Sequence, residues 1–217
     1  MDGFTLVNAL GCLLIVSSLM IVLSQTPKKA ACIYAIQSLI LVSIFITLGV
    51  ATSSSELFMW SGTAFITKVV LVPAIILLGL KKMGNPNPKL PSLISPVASM
   101  VIVAAEIALC FLAVQSITLP TAAEVKPALA ISLAHFFIGL TCIVSQRNIL
   151  KQVFGYCLME NGSHLTLALL APTAPELVEI GIGTDAIFAV IIMTIVVVRI
   201  YHTVHTLDSN ELMELKG

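Results

Sequence analysis

Long apolar runs separated by short polar breaks set the pattern of this chain. A bilayer span needs about 20 predominantly apolar residues. Seven segments are of that order: Phe4–Leu23, Ala30–Ala51, Leu57–Leu80, Leu93–Gln115, Ala128–Ser145, Ile149–Leu170 and Leu177–Ile200. The breaks SQTPKK, TSSSE, KKMGNPNPKLPS, SITLPTAAEVKP, QRN and APTAPE collect Pro, Gly, Ser and charge, which end helices. The pattern predicts an all-α polytopic membrane protein with seven transmembrane helices, the fifth short enough to fray by a turn.

Composition agrees. Of 217 residues 58% are hydrophobic and 10% charged, and the mean hydropathy is +1.07. Soluble domains carry about 25% charged residues, so this chain cannot clothe itself in a solvated surface. Its formal net charge of +0 provides no basic stripe for nucleic acid. Cys12, Cys32, Cys110, Cys142 and Cys157 all lie in apolar runs without a CxxC pair, which argues against a disulfide framework, an iron–sulfur cluster or structural zinc. Met1-Asp2-Gly3 lacks the basic start of a signal peptide, and the run after it is too long for one, so it reads as the first span.

Lys and Arg placement sets an expected orientation. Lys28, Lys29, Lys81, Lys82, Lys89, Arg147, Lys151, Arg199 and Lys216 fall in odd-numbered loops or the tail. The even-numbered loops hold Lys126 beside Glu56, Glu124, Glu176 and Glu179. The N-terminus is therefore expected outside and the C-terminus in the cytoplasm. No large soluble domain lies on either side, so no cofactor is expected.

The stretch from Gln146 to Leu170 departs from plain apolarity, with Glu160, Asn161, Ser163 and His164 in mid-span. A charge at the bilayer centre costs about 3 kcal/mol on insertion scales, and such residues usually pair or carry function. Lys68 in the third span, Glu106 in the fourth, His135 in the fifth and Asp185 in the seventh extend the set. At 1.5 Å per residue all six titratable groups fall roughly 15 to 22 Å from the cytoplasmic helix ends. Cys157, Glu160 and His164 share a helix face at i, i+3 and i+7. Glu160 and His164 are then close enough to exchange a proton directly or through one water.

Each residue also has a plainer reading. Lys68 and Glu106, on consecutive antiparallel spans, can form a silent buried ion pair. Glu160 can make an interhelical hydrogen bond, and Asp185 can simply accompany tight packing at Gly183 and Thr184. His135 reads better as a satisfied core histidine, and Gln37 as packing. Pro73 predicts a kink in the third span. Spans one to three and five to seven have the look of a parallel repeat, with Gln37 matching Glu160 and Lys68 matching Asp185.

The segment GLTCIVSQRNILKQVFGYCLMENGSHLTLALL, with Asp185 and the tail LDSNELMELKG, resembles the three-helix K-type subunit of respiratory complex I and the C-type subunit of multisubunit cation/proton antiporters. Over the whole chain, AFITKVVLVP and PELVEIGIGTDAIFAV resemble the E-type membrane subunits of hydrogenase-4, a formate hydrogenlyase-type, energy-converting hydrogenase. The resemblance divides the chain into a four-helix region, 1–127, and a K-type-like three-helix region with a short cytoplasmic tail, 128–217. It implies a non-catalytic subunit of a proton-translocating complex in the bacterial inner membrane. Its implied partners are antiporter-like and other membrane subunits, the peripheral hydrogenase arm only indirectly, and any nickel–iron or iron–sulfur centre sits in those partners. Of the two midplane glutamates of the K-type subunit, the second falls on Asp185 and the first on Cys157, with Glu160 one turn further along. The proton relay expected on this basis comprises Glu160, Asp185 and His164, with Lys68 and Glu106 setting its electrostatic bias. A structural adaptor that only docks larger subunits, and a sodium-moving antiporter component, are the competing readings.

Overall fold

The computed structural model describes residues 3–86, 92–117 and 123–213. Helices α1 (Gly3–Leu23), α2 (Pro27–Thr52), α3 (Ser55–Lys82), α4 (Pro96–Gln115), α5 (Lys126–Ser145), α6 (Ile149–Leu170) and α7 (Glu176–Val204) are followed by a short α8 (Ser209–Met213). Lys89 and Lys216 lie outside the described residues. Pro27, Pro96 and Pro127 sit in the first turns of α2, α4 and α5, where a missing N–H costs nothing. Ser53 ends α2 in the left-handed conformation and returns its N–H to Val50 O.

Six of these helices are long and apolar enough to cross a membrane. The exception is α6, whose Glu160, Asn161, Ser163 and His164 lower its hydropathy. Its position explains this. It packs against α5, α2, α7 and α1 and offers lipid little surface. By contrast α4 is only 22% buried and lies at the edge of the bundle against α5 and α1.

Neighbouring helices alternate in direction. Ser18 meets His135, Gln37 meets Asn161, and Thr67 and Thr194 meet Gly183 and Gly79. Thus α1 lies on α5, α2 on α6 and α3 on α7, each pair parallel. The tightest contact is α5 against α6. A Cβ on Gly139 would come within 2.3 Å of Met159 N, and one on Gly162 within 2.5 Å of Phe136 N. Small residues let helix backbones approach closely in a membrane, where van der Waals packing drives association.

The core has three layers. One apolar cluster gathers Leu14, Leu41, Phe45, Trp60, Ala64 and Leu165; another gathers Ile21, Tyr34, Val72, Ile76, Phe154 and Leu158. Between them on α1, α2, α3 and α6 lie buried polar residues, Ser17 and Ser18, Gln37 and Ser38, Thr67 and Lys68, and Asn161 and His164, with Ser132 and His135 of α5 beside them. Of the six groups expected at this depth, Lys68, His135, Glu160 and His164 adjoin this layer, whereas Asp185 is exposed and Glu106 lies on the peripheral α4.

The C-terminal end is clasped. Arg147 donates both to Asp208 Oδ1, at 3.0 Å from Nε, and to Oδ2. Ile149 N–H donates to Leu207 O at 3.0 Å and Ser209 N–H to Arg147 O at 2.8 Å. Lys151, expected as a loop charge, is buried instead: its ammonium donates to Val22 O, Ser24 O and Gln146 Oε1, capping the end of α1. Such a cation at a helix C-terminus meets orphan carbonyls and the negative end of the dipole.

Replacing Gly139 with Val should cost about 1–3 kcal/mol by overpacking. Gly62→Ala, whose Cβ meets nothing within 4 Å, should instead stabilise by about 0.5–1 kcal/mol. Thermal unfolding of the full chain in detergent reads both signs. The clasp has a pH dependence of its own. Burial pushes the Asp208 carboxyl up, but the bonds from Arg147 and Asn210 N–H and the Arg147 charge outweigh it and hold its pKa below 3.8. A depressed carboxylate stabilises the folded form above its ordinary pKa and loses that contribution as pH falls through the folded value. Limited proteolysis should therefore cut the tail of Asp208→Asn faster than wild type at neutral pH, the difference vanishing in strong acid.

Candidate functional site

The polar layer is organised by an irregularity in α3. From Phe65 to Leu71 the helix widens into a π-helical stretch, in which Val72 N–H reaches back five residues to Thr67 O. Pro73 follows immediately and supplies a local cause: without an N–H it cannot serve the carbonyl four residues before it. The expected kink is thus a π-bulge, a form often found at functional sites. Lys68 sits in the middle of it, 1% exposed.

Lys68 pairs with Glu160 Oε2 and donates to Asn161 Oδ1 at 2.9 Å. It does not meet Glu106, as sequence adjacency suggested. Helix α4 packs on α5 and α1 rather than on α3, and Glu106 accepts a hydrogen bond from Thr141 there. The silent Lys68–Glu106 pair is therefore ruled out by the packing.

From Lys68 a file of hydrogen bonds crosses the bundle, and its direction follows from elementary donor chemistry. An ammonium has only protons to offer, so Asn161 turns its carbonyl toward Lys68. Its amide nitrogen then donates to Gln37 Oε1 at 3.1 Å. Gln37 in turn donates to His135 Nε2 at 2.8 Å. His135 must accept there, so its proton resides on Nδ1 and is donated to Ser18 Oγ at 2.7 Å. Ser18 donates onward to Leu14 O at 2.6 Å. Every bond points away from Lys68. Gln37, read as packing in the sequence, is the link that joins the two halves of this file. His135 is satisfied on both nitrogens.

A second pair lies one turn along α6. His164 Nε2 meets Glu179 Oε2, both side chains 0% exposed. The imidazole is flanked by Phe45, with ring centroids 4.8 Å apart, and by Trp60 at 5.5 Å. Glu179 was counted among the external loop acids. It is buried because α7 begins at Glu176, and Glu179, Gly183, Ala186, Val190, Thr194 and Val197 form one inward stripe. That helical spacing is the signal that could have found it. Glu160 and His164, expected to exchange a proton with each other, each have a separate partner.

Asp185 is off that stripe and exposed, beside the exposed Phe188 and Ile192. Tyr156, half-buried on α6, is within electrostatic reach of both Asp185 and Glu160. Cys157 is buried against the same apolar cluster as Tyr34 and Phe154. Buried atoms without a hydrogen-bond partner include Glu160 Oε1, Glu106 Oε2, both carboxylate oxygens of Glu179 and both ring nitrogens of His164. Among the described residues no group of three His, Cys, Asp or Glu could hold a metal ion.

Comparison with known proteins gives this arrangement a family. Residues 127–217 match the family described as NADH-ubiquinone/plastoquinone oxidoreductase chain 4L. The whole chain is 50% identical to hydrogenase-4 component E of Escherichia coli K12, with 100% of both chains covered, and equally to that of Shigella flexneri. No solved structure matches the chain. With its apolar helices, this makes the protein a multi-pass protein of the bacterial inner membrane and a subunit of an energy-converting hydrogenase: the chain belongs to the hydrogenase-4 component E family.

Proposed function

We propose that this subunit carries no active site of its own and couples proton movement between neighbouring antiporter-like subunits through the acids of its polar layer. In this reading all seven long helices span the bilayer, α6 included, with the N-terminus outside and the C-terminus in the cytoplasm. The observation that carries the proposal is the buried Lys68–Glu160 pair in the π-bulge of α3. Two opposite charges in oil are stable only together, since removing one partner of such a pair costs about 3–5 kcal/mol. A proton delivered to Glu160 cancels its charge and leaves Lys68 unbalanced. A proton leaving it restores the pair.

Asp185 is the entry point on this account. A carboxyl exposed on a membrane span is costly against lipid, so the face of α7 that bears it meets another subunit. Tyr156 lies within electrostatic reach of both Asp185 and Glu160. The His164–Glu179 pair, about 6 Å further along α6 by helical rise, is a second station toward the end of the bundle where α7 begins. On the opposite edge, Glu106 with Thr141 faces a further neighbour. The hydrogen-bonded file from Lys68 to Ser18 contains two amides, which hold rather than relay protons. It transmits the charge state of Lys68 across the bundle to α1 and α5.

In the complex that assembles, Glu160→Gln, which strands Lys68 and should itself reduce assembly, and Glu179→Gln should each lower proton translocation about tenfold or more, a loss of about 1.4 kcal/mol or more, while hydrogen turnover persists. Lys68→Met alone should impair assembly by stranding a buried carboxylate. Lys68→Met/Glu160→Gln removes both charges and should restore assembly without restoring translocation. Translocation at the wild-type level in the assembled double variant would leave the subunit a structural adaptor. Dependence of translocation on sodium at fixed pH would favour the antiporter reading.

A further inference from the structure

Between α3 and α7, toward the ends that carry Lys82 and Arg199, runs a cleft of about 430 Å³. Its walls include Leu78 and Ile195, 59% and 54% exposed. Gly79 and Thr194 bring the helices together there: a Cβ on Gly79 would lie 2.4 Å from Thr194 Cγ2. The cleft extends from Ile75 to Lys82 on one helix and from Ile191 to Arg199 on the other, roughly 12 Å at helical rise. It is an apolar trough along two membrane helices with two cations at one end.

Those cations differ from Lys151 and Arg147 nearby; Lys28, Lys29 and Lys81 are exposed too but do not line the cleft. Lys151 is buried on three acceptors, and Arg147 is held by Asp208. Lys82 and Arg199 are exposed, and among the described residues neither forms a salt bridge. No acid lines the cleft. Thr194 adds an independent sign. It is 5% exposed, yet its hydroxyl has no partner. Thr184 and Thr203 on the same helix donate to carbonyls four residues back. Thr194 lies about 7.5 Å below Arg199 by helical rise, the depth at which a lipid's ester oxygens follow its phosphate.

We propose that this cleft binds one anionic phospholipid, with its phosphate between Lys82 and Arg199, an ester oxygen on the Thr194 hydroxyl and an acyl chain along Leu78 and Ile195. The apolar walls select a lipid over free phosphate. The absence of an acid in the lining selects an anionic headgroup over one with an ammonium, which would find no partner. Basic pockets between helices on the cytoplasmic side have the chemistry to bind such headgroups.

The test is native mass spectrometry of the full chain after incubation with mixed vesicles of equimolar phosphatidylglycerol and phosphatidylethanolamine. Wild type should retain phosphatidylglycerol at least fivefold more than phosphatidylethanolamine, with millimolar inorganic phosphate failing to displace it. K82Q/R199Q should bring the ratio near one, and Thr194→Val should lower retention about threefold. Leu78→Trp, which fills the trough without touching its charge, should lower it as well. K28Q/K29Q, which removes two cations at the start of α2, should leave the ratio unchanged. Equal retention by K82Q/R199Q and wild type, loss of preference in K28Q/K29Q, or displacement by phosphate would overturn the site. Retention by the isolated chain but not by the purified hydrogenase complex would also overturn it, since a partner helix would then occupy the cleft.

Discussion

One ammonium organises the interior. Lys68 can offer only protons, and it stands where water cannot answer it, so every polar neighbour must orient accordingly. Glu160 supplies the countercharge and Asn161 the carbonyl. The direction of the bonds to Gln37, His135 and Ser18 then follows without further choice. The π-bulge before Pro73 presents Lys68 to this layer, and the glycine contact of α5 with α6 holds two of the responding helices close. Fold and candidate chemistry thus meet at the same residues.

This arrangement reconciles two demands that conflict in oil. A membrane subunit must avoid stranded charge, yet a relay needs groups whose charge can change. Here the titratable groups occur as pairs, Lys68 with Glu160 and His164 with Glu179, beside two apolar clusters. Glu160 has one carboxylate oxygen engaged by Lys68 and the other without a hydrogen-bond partner. Asp185 and Glu106 differ in kind. Asp185 is exposed on α7, where its environment is set by whatever adjoins the bundle, and Glu106 is half-buried between α4 and α5.

Much of this was legible along the chain because a membrane simplifies the code. Apolar runs marked the helices, and rare polar residues at equal depth marked the layer. Depth, however, is one coordinate. It placed Lys68 and Glu106 level with one another but said nothing of the packing that puts α4 on the far side of the bundle. Adjacency in sequence was the wrong guide to the partner. Glu179 escaped for a related reason: two residues into the predicted seventh span, it was counted with the loop acids, although its spacing from Gly183 and Ala186 turns it inward. Gln37 was undervalued because an amide's worth depends on what lies at both of its ends. The whole-chain relation to hydrogenase-4 component E identifies the assembly without bearing on these pairings.

The direction of the file is the most exposed part of the account, since it follows from Lys68 alone. The direct measurement is the imidazole ¹⁵N spectrum of His135 in the full chain, in lipid bilayers at neutral pH, assigned by comparison with His135→Gln. A single neutral tautomer with the proton on Nδ1 is expected in wild type, giving way to a mixture in Lys68→Met/Glu160→Gln, where Asn161 and Gln37 are free to turn over. A proton on Nε2 in wild type, a doubly protonated ring, or an unchanged spectrum in the double variant would contradict it.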